Sequence, residues 1–180
     1  MTAPHAAARV LVAGVGNIFC GDDGFGVEVV RRLAAQTLPA GVQVVDFGLR
    51  SRDLAYELLD RADWTTILVD AMPRGGTPGT VYLVEPDTES VELRSPADGH
   101  SASPDAIIGL LRALGGSPGR LLVVGCEPAQ LDDGIGLSDP VAAAVNEAIA
   151  LILSIAGRTE KCASPSPAAS WSSRTNTLPS

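Results

Sequence analysis

Apolar residues follow two alternating patterns along the chain, short continuous runs and stretches with the period of a helix. The first run predicts a β-strand over Arg9–Gly14, which ends where Gly14 and Gly16 interrupt the apolar residues. A helix is predicted after the glycine-containing loop, because small and apolar residues recur at helical spacing, namely Gly26, Val29, Val30 and Leu33. The chain therefore opens with a strand–loop–helix unit.

The same alternation continues through most of the sequence. Further strands are predicted over 42–47, 65–70, 80–86 and 120–125. Helices are expected to begin at Ser51 and Ser103, each acting as an N-cap, and at Ser138. Their apolar positions are Leu54, Leu58 and Leu59 in the first, Ile107, Leu110, Leu111 and Leu114 in the second, which Gly115 closes, and Val141, Val145, Ala148, Ile149 and Ile152 in the third.

The order of these elements predicts the fold class. The run over 65–70 is apolar and β-branched, which is typical of a strand buried on both faces of a parallel sheet. The strand over 80–86 follows it too closely for a crossover helix, so we expect that strand to lie antiparallel at a sheet edge. We therefore predict a three-layer, doubly wound α/β domain with a mostly parallel five-stranded sheet and helices on both faces.

Composition narrows the class of protein. A chain of 180 residues with 46% hydrophobic content suits one packed domain, placed at 1–161, and a disordered Ser- and Pro-rich tail over 162–180. The net charge of -8 argues against a nucleic-acid partner, which needs a basic face. Three cysteines without framework spacing, Cys20, Cys126 and Cys162, indicate a reducing compartment. We expect a cytoplasmic monomer with no membrane segment, because the apolar stretch Val141–Ala156 is short and interrupted.

The loop after the first strand, GNIFCGDDG, carries two adjacent carboxylates, Asp22 and Asp23. One of them is expected to cap the following helix, and the other is a candidate for function, because ligands of open α/β sheets bind beyond the carboxyl ends of the strands. A dinucleotide site is a poor alternative. Phe19 stands where the third glycine of that fingerprint would be.

Two further titratable residues are expected at the same edge of the sheet. Asp70 ends the third strand, and His100 precedes the helix that Ser103 caps. With Asp23 they offer two carboxylates and one imidazole, a credible set of ligands for a divalent metal with positions left for water or substrate. The alternative is a purely structural role, because an aspartate at a strand end often binds backbone amides and a histidine before a helix is often a capping residue.

Five segments in order resemble the motifs of the nickel–iron hydrogenase maturation endopeptidases. They are GVGNIFCGDDGFG, LVDAMPRGGTPGTV, GHSASP, VVGCEP and GIGLS, and the likeness runs from about Val10 to the last helix. The resemblance implies a phosphorylase/hydrolase-like fold and a metal held in the active cleft by Asp23, Asp70 and His100. It also implies an endopeptidase that removes the C-terminal extension of a nickel-loaded hydrogenase large-subunit precursor, the nickel coming largely with that substrate.

Several alternatives stay open on the sequence. A metal-polarised carbonyl, a metal-activated water or a carboxylate base acting on water would each suit two Asp and one His. Cys20, in the same loop, is a candidate nucleophile paired with His100. A nickel carrier or precursor-binding chaperone that does not cut is the alternative of another class. Specificity is expected in the loops Gly48–Arg52 and Arg74–Pro78.

Overall fold

A computed structural model of the protein describes residues 9–88 and 103–162, with side chains as far as residue 159. The strands are β1 (Val10–Val15), β2 (Val42–Gly48), β3 (Thr65–Ala71), β4 (Val81–Val84) and β5 (Arg120–Cys126). The helices are α1 (Phe25–Ala34), α2 (Ser51–Leu58), α3 (Pro104–Ala113) and α4 (Asp139–Cys162), and a short 3-10 helix over Gly21–Gly24 precedes α1. The predicted tail and the segment that contains His100 lie outside the described residues.

The strands form one five-stranded sheet in the order β2-β1-β3-β5-β4. All neighbours are parallel except β4, which pairs antiparallel with β5 at the edge, with Tyr82 opposite Gly125. The predicted fold class is therefore confirmed, including the antiparallel edge strand. Strand β2 lies on one side of β1, and β3 and the later strands lie on its other side. The direction in which strands are added to the sheet therefore reverses between β1 and β3.

Helices cover both faces of the sheet and define two apolar cores. Helices α1 and α4 pack on one face, where Phe25, Leu33 and Ile152 are fully buried. Helices α2 and α3 pack on the other face, where Leu54 and Leu111 are buried. The driving force is the removal of these side chains from water, worth about 1.5–3 kcal/mol for each large aliphatic residue.

Helix α3 is turned slightly from the predicted orientation. Ser103 is its N-cap as expected, its hydroxyl accepting a hydrogen bond from Ala106 N at 3.3 Å. Ile108 is fully buried, whereas Leu114 is 40% exposed, because Leu114 lies beyond the last helical residue.

The expected N-cap of α2 at Ser51 is wrong, since Arg50 occupies the N-cap position and makes no capping side-chain hydrogen bond.

Helix α4 is longer than its apolar stretch suggested. By length and composition alone its segment Asp139–Thr159 would suffice to cross a membrane, so the expectation that no segment is long enough is wrong. The predicted inward stripe accounts for part of this apolar composition, because Val141, Val145, Ala148 and Ile152 are fully buried in the core. The core helix of a globular domain meets the same criterion.

Candidate active site

The candidate site lies at the carboxyl ends of β1 and β3, where the strand order reverses. Asp23 follows β1 through the loop and the 3-10 helix, and Asp70 is the penultimate residue of β3. In open α/β sheets, the crevice at such a reversal is the usual position for a ligand. The structure thus brings together two of the three residues proposed from the sequence.

A glycine in α1 allows the two carboxylates to approach each other. Gly26 lies so close to the carbonyl oxygens of Val15 and Val69 that a Cβ atom there would overlap both. The first turn of α1 is therefore seated directly on the ends of β1 and β3. Asp23, three residues before Gly26, and Asp70, next to Val69, therefore lie near each other, close enough for the charge of Asp23 to act on Asp70.

Asp23 and Asp70 interact electrostatically. Asp23 Oδ2 accepts a hydrogen bond from Asn17 N at 2.7 Å, which fixes the carboxylate against its own loop. Asp70 Oδ1 accepts one from Ala71 N at 2.8 Å. Burial, and after it the negative charge of Asp23, raises the pKa of Asp70 to about 8. Such a paired and perturbed carboxyl group in a crevice is typical of a functional site.

Asp22 has a different role from the one expected. Its carboxylate is fully buried and accepts hydrogen bonds from Ala129 N at 2.8 Å, Gln130 N at 3.0 Å, Ser138 N at 2.7 Å and Ser138 Oγ at 2.9 Å. Burial raises its pKa, but the bonds from Ser138, Gln130 and Ala129 outweigh burial and hold the pKa below the usual value. Neither Asp22 nor Asp23 caps α1, whose N-cap is Gly24. Asp22 instead joins the first loop to the loop between β5 and α4.

A second buried carboxylate organises the loop that follows Asp70. Glu127 accepts hydrogen bonds from Arg74 N at 2.9 Å, Gly75 N at 3.0 Å and Tyr82 Oη at 2.8 Å. Burial raises its pKa, yet these bonds prevail and the pKa lies below its usual value. The guanidinium of Arg74 lies over the ring of Tyr82, 5.4 Å from its centroid. Glu127 therefore holds the backbone at the start of the predicted specificity loop Arg74–Pro78. No sequence pattern indicated this role.

The third predicted ligand, His100, lies outside the described residues, so its position stays a prediction. Within residues 9–88 and 103–159, no three His, Cys, Asp or Glu side chains are arranged to hold a metal ion. A complete metal shell would need a ligand from elsewhere, either His100 or the substrate.

The two described thiols differ in environment. Cys20 is half-buried and its sulfur accepts a hydrogen bond from Asn17 Nδ2 at 3.1 Å. Cys126 is buried, and burial raises the pKa of its thiol to about 11, so it is inert near neutral pH. The proposed pairing of Cys20 with His100 falls partly outside the described residues and stays a hypothesis.

A surface groove at the opposite edge of the sheet is unrelated to this chemistry. It is lined in part by Arg9, Tyr56, Arg61 and Trp64. Both of its arginines are paired: Arg9 binds Asp63, and Arg61 binds Glu57 and lies over the ring of Trp64, 4.2 Å from its centroid. The basic groups of the groove are therefore engaged in structural contacts.

Comparison with known proteins identifies the family of this chain. The family model of the hydrogenase maturation proteases (HycI) matches residues 27–155. The hydrogenase expression/formation protein HupD of Rhodobacter capsulatus is 34% identical over 145 residues, which are 79% of this chain and 68% of that protein. The crystal structure of a hydrogenase 2 maturation peptidase from a Thaumarchaeota archaeon is 32% identical, with a TM-score of 0.64, covering 83% of this chain and 98% of that one. The hydrogenase maturating endopeptidase HybD from Escherichia coli superposes with a TM-score of 0.67 at 29% identity, covering 84% and 93%.

The fold thus defines a doubly wound α/β domain with a carboxylate pair at its switch point. The chain belongs to the hydrogenase maturation protease family, as the matched model and the relatives show. Its general activity is that of an endopeptidase.

Proposed function

We propose that this protein removes the C-terminal extension from the nickel-loaded precursor of a nickel–iron hydrogenase large subunit. Asp23, Asp70 and His100 would contact the nickel that the precursor carries, and they are the proposed catalytic and metal-binding residues. The single observation that carries the proposal is the coupled pair Asp23 and Asp70 at the switch point, in a chain of this family. We further propose that the protein acts as a cytoplasmic monomer.

The three proposed ligands suit a nickel ion that is shared with the precursor. Two carboxylates and an imidazole match divalent nickel, and leave coordination positions for the ligands that the precursor already supplies. Burial, and after it the charge of Asp23, raises the pKa of Asp70, and a cation beside the pair would lower that pKa again. Contact with the substrate's nickel would therefore release a proton from Asp70.

Hydrolysis is assigned to this carboxylate pair acting with the substrate's nickel, the aspartic or metal-dependent type of endopeptidase. Nickel bound by the precursor would polarise the bond to be cut. The chain's own residues would orient the precursor at the switch point, and Asp23 or Asp70 would accept the proton of the attacking water. Cleavage would then be restricted to precursors that have received their metal.

The test is a cleavage assay on a large-subunit precursor with and without nickel, read by mass spectrometry. We expect shortening only of the nickel-loaded form, and a loss of at least about a hundredfold in rate for Asp23→Asn. Asp60→Asn is the matched control, because Asp60 is an exposed carboxylate that follows α2, in the surface groove away from the candidate site. Binding of the loaded precursor without shortening would overturn the proposal in favour of a nickel carrier or chaperone.

A further inference from the structure

Five large apolar side chains are exposed at the same edge of the sheet as the candidate site. They are Ile18 (46% exposed), Phe19 (59%), Leu49 (71%), Leu131 (44%) and Ile135 (84%), and together they are called the apolar rim. They belong to the loops that follow β1, β2 and β5. Clustered exposed apolar residues in a folded domain commonly mark a surface that binds another chain.

Hydrogen bonds hold these three loops to each other. Gly16 N donates to Gly48 O at 3.1 Å, which ties the loop after β1 to the one after β2, beside Leu49. Gly134 N donates to Phe19 O at 2.8 Å, which ties the first loop to the one that carries Ile135. The backbone on both sides of Phe19 is also fixed, since Phe19 N donates to Asn17 Oδ1 at 3.0 Å. The apolar rim is therefore preorganised, which lowers the entropy cost of binding.

Acidic residues accompany the apolar rim. Asp132 and Asp133 lie between Leu131 and Ile135, and Asp46 lies two residues before Gly48. All three aspartates are exposed, and none forms an ion pair with a residue that the structure describes. Apolar side chains bordered by unpaired carboxylates are complementary to a segment that carries both apolar and basic residues.

We propose that the apolar rim binds the segment of the precursor next to the bond that is cut, and that this segment is apolar with basic residues facing Asp132 and Asp133. The inference rests on the proposed function, because it assigns the surface bordering Asp23 to the same substrate. Its position supports the assignment: Phe19 is four residues before Asp23, so the apolar rim borders the proposed catalytic pair.

A second copy of this protein suits the surface less well. In a two-fold dimer the same patch meets itself, so Asp132 and Asp133 of both copies would be brought into one interface. Like charges placed opposite one another oppose association. The charge of the rim therefore favours a partner with basic residues over a copy of this acidic chain, whose net charge is -8.

The experiment compares cleavage kinetics and precursor binding for wild type, Phe19→Ser and Ile135→Ser on the nickel-loaded precursor. We expect each variant to lower kcat/KM by about tenfold, with most of the change in KM, as for a central apolar contact of an interface. Melting temperatures should not change, because both side chains are exposed. Tyr56→Ser is the matched control, since Tyr56 is a similarly exposed aromatic residue (55%) at the opposite edge of the sheet.

A double variant, Asp132→Asn with Asp133→Asn, tests the charge of the partner. It should weaken precursor binding at low salt and flatten the dependence of binding on salt.

If Phe19→Ser and Ile135→Ser cleave the precursor with the KM of wild type, the rim proposal would be overturned and the proposed function would stand. If the wild type binds the precursor but never shortens it, and these variants weaken that binding, the rim proposal would stand and the proposed function would be overturned. A concentration-dependent dimer that Phe19→Ser abolishes, with unchanged precursor KM, would assign the rim to self-association and overturn the proposal.

Discussion

Replacing Asp22 by Asn would test whether this buried carboxylate holds two loops of the candidate site together. The carboxylate accepts four hydrogen bonds, all from residues more than a hundred positions away in sequence. Asn keeps the size of the side chain but offers only one acceptor oxygen. Its amide group would point N–H donors at the N–H groups of Ala129 and Gln130 or of Ser138.

The expected cost follows from the number and kind of these bonds. A hydrogen bond to a charged group contributes about 1.5–3 kcal/mol, and a buried donor left without a partner costs about 1–3 kcal/mol. Ala129 and Gln130 are exposed residues, so their N–H groups can regain water when the loop moves. We therefore expect the free energy of unfolding to fall by about 3 kcal/mol, less than the sum of the separate bonds.

Urea unfolding at pH 7 measures this loss, and hydrogen exchange of the amides of Ala129, Gln130 and Ser138 locates it. The lowered pKa of Asp22 means that its stabilisation is complete above the unfolded pKa of about 4 and is lost as pH falls through the folded value. Wild type and Asp22→Asn should therefore converge in stability in strong acid. Asp132→Asn, in the same loop but exposed, is the control. A stability within about 0.5 kcal/mol of wild type, which is the usual scatter of surface substitutions, together with unchanged hydrogen exchange, would refute the reasoning.

Four further predictions concern the site and the tail. The pKa of Asp70, raised to about 8, means that the folded state holds a proton longer than the unfolded one, so unfolding free energy should decline as pH rises from about 4 to about 8. Asp70→Asn should remove that decline when urea unfolding is measured across this pH range. A variant whose stability depends on pH in the same way as that of wild type would contradict the prediction. Cys20→Ser should retain most processing activity, whereas loss by orders of magnitude in a folded variant would identify a nucleophile. His100→Ala should fold normally by calorimetry but process the nickel-loaded precursor far more slowly, and a wild-type rate would remove it from the site. Ending the chain after Lys161 should leave the melting temperature and processing unchanged, and a large drop in melting temperature would show that the tail packs on the domain.

The period of apolar residues predicted the architecture because it reports directly which face of each element is buried. The inward stripe of α4, including Val145 and Ile152, follows from helical spacing alone, and both residues are fully buried. The antiparallel edge strand followed from the short connection between β3 and β4, which leaves no room for a crossover.

The roles of the buried carboxylates could not be predicted in this way. One of the two adjacent aspartates was expected to be a helix cap because capping is a local pattern, whereas the partners of Asp22, Gln130 and Ser138, lie on a loop that only the folded chain brings near. The same is true of Glu127, which binds the backbone of Arg74. The proximity of Asp70 to Asp23 could be predicted from sequence, because the carboxyl ends of parallel strands lie at the same end of a sheet, which is a property of the fold class.

Asp22 holds the loop after β5 mainly through main-chain N–H groups, those of Ala129, Gln130 and Ser138. Every residue except proline offers such a group, so the clamp does not depend on which side chains the loop carries there. The shape of the loop is thereby separated from its surface chemistry. Residues 129–137 can accordingly exchange side chains to suit a different precursor while the frame beneath them is kept, and transplanting that segment between relatives is a practical route to altered substrate choice.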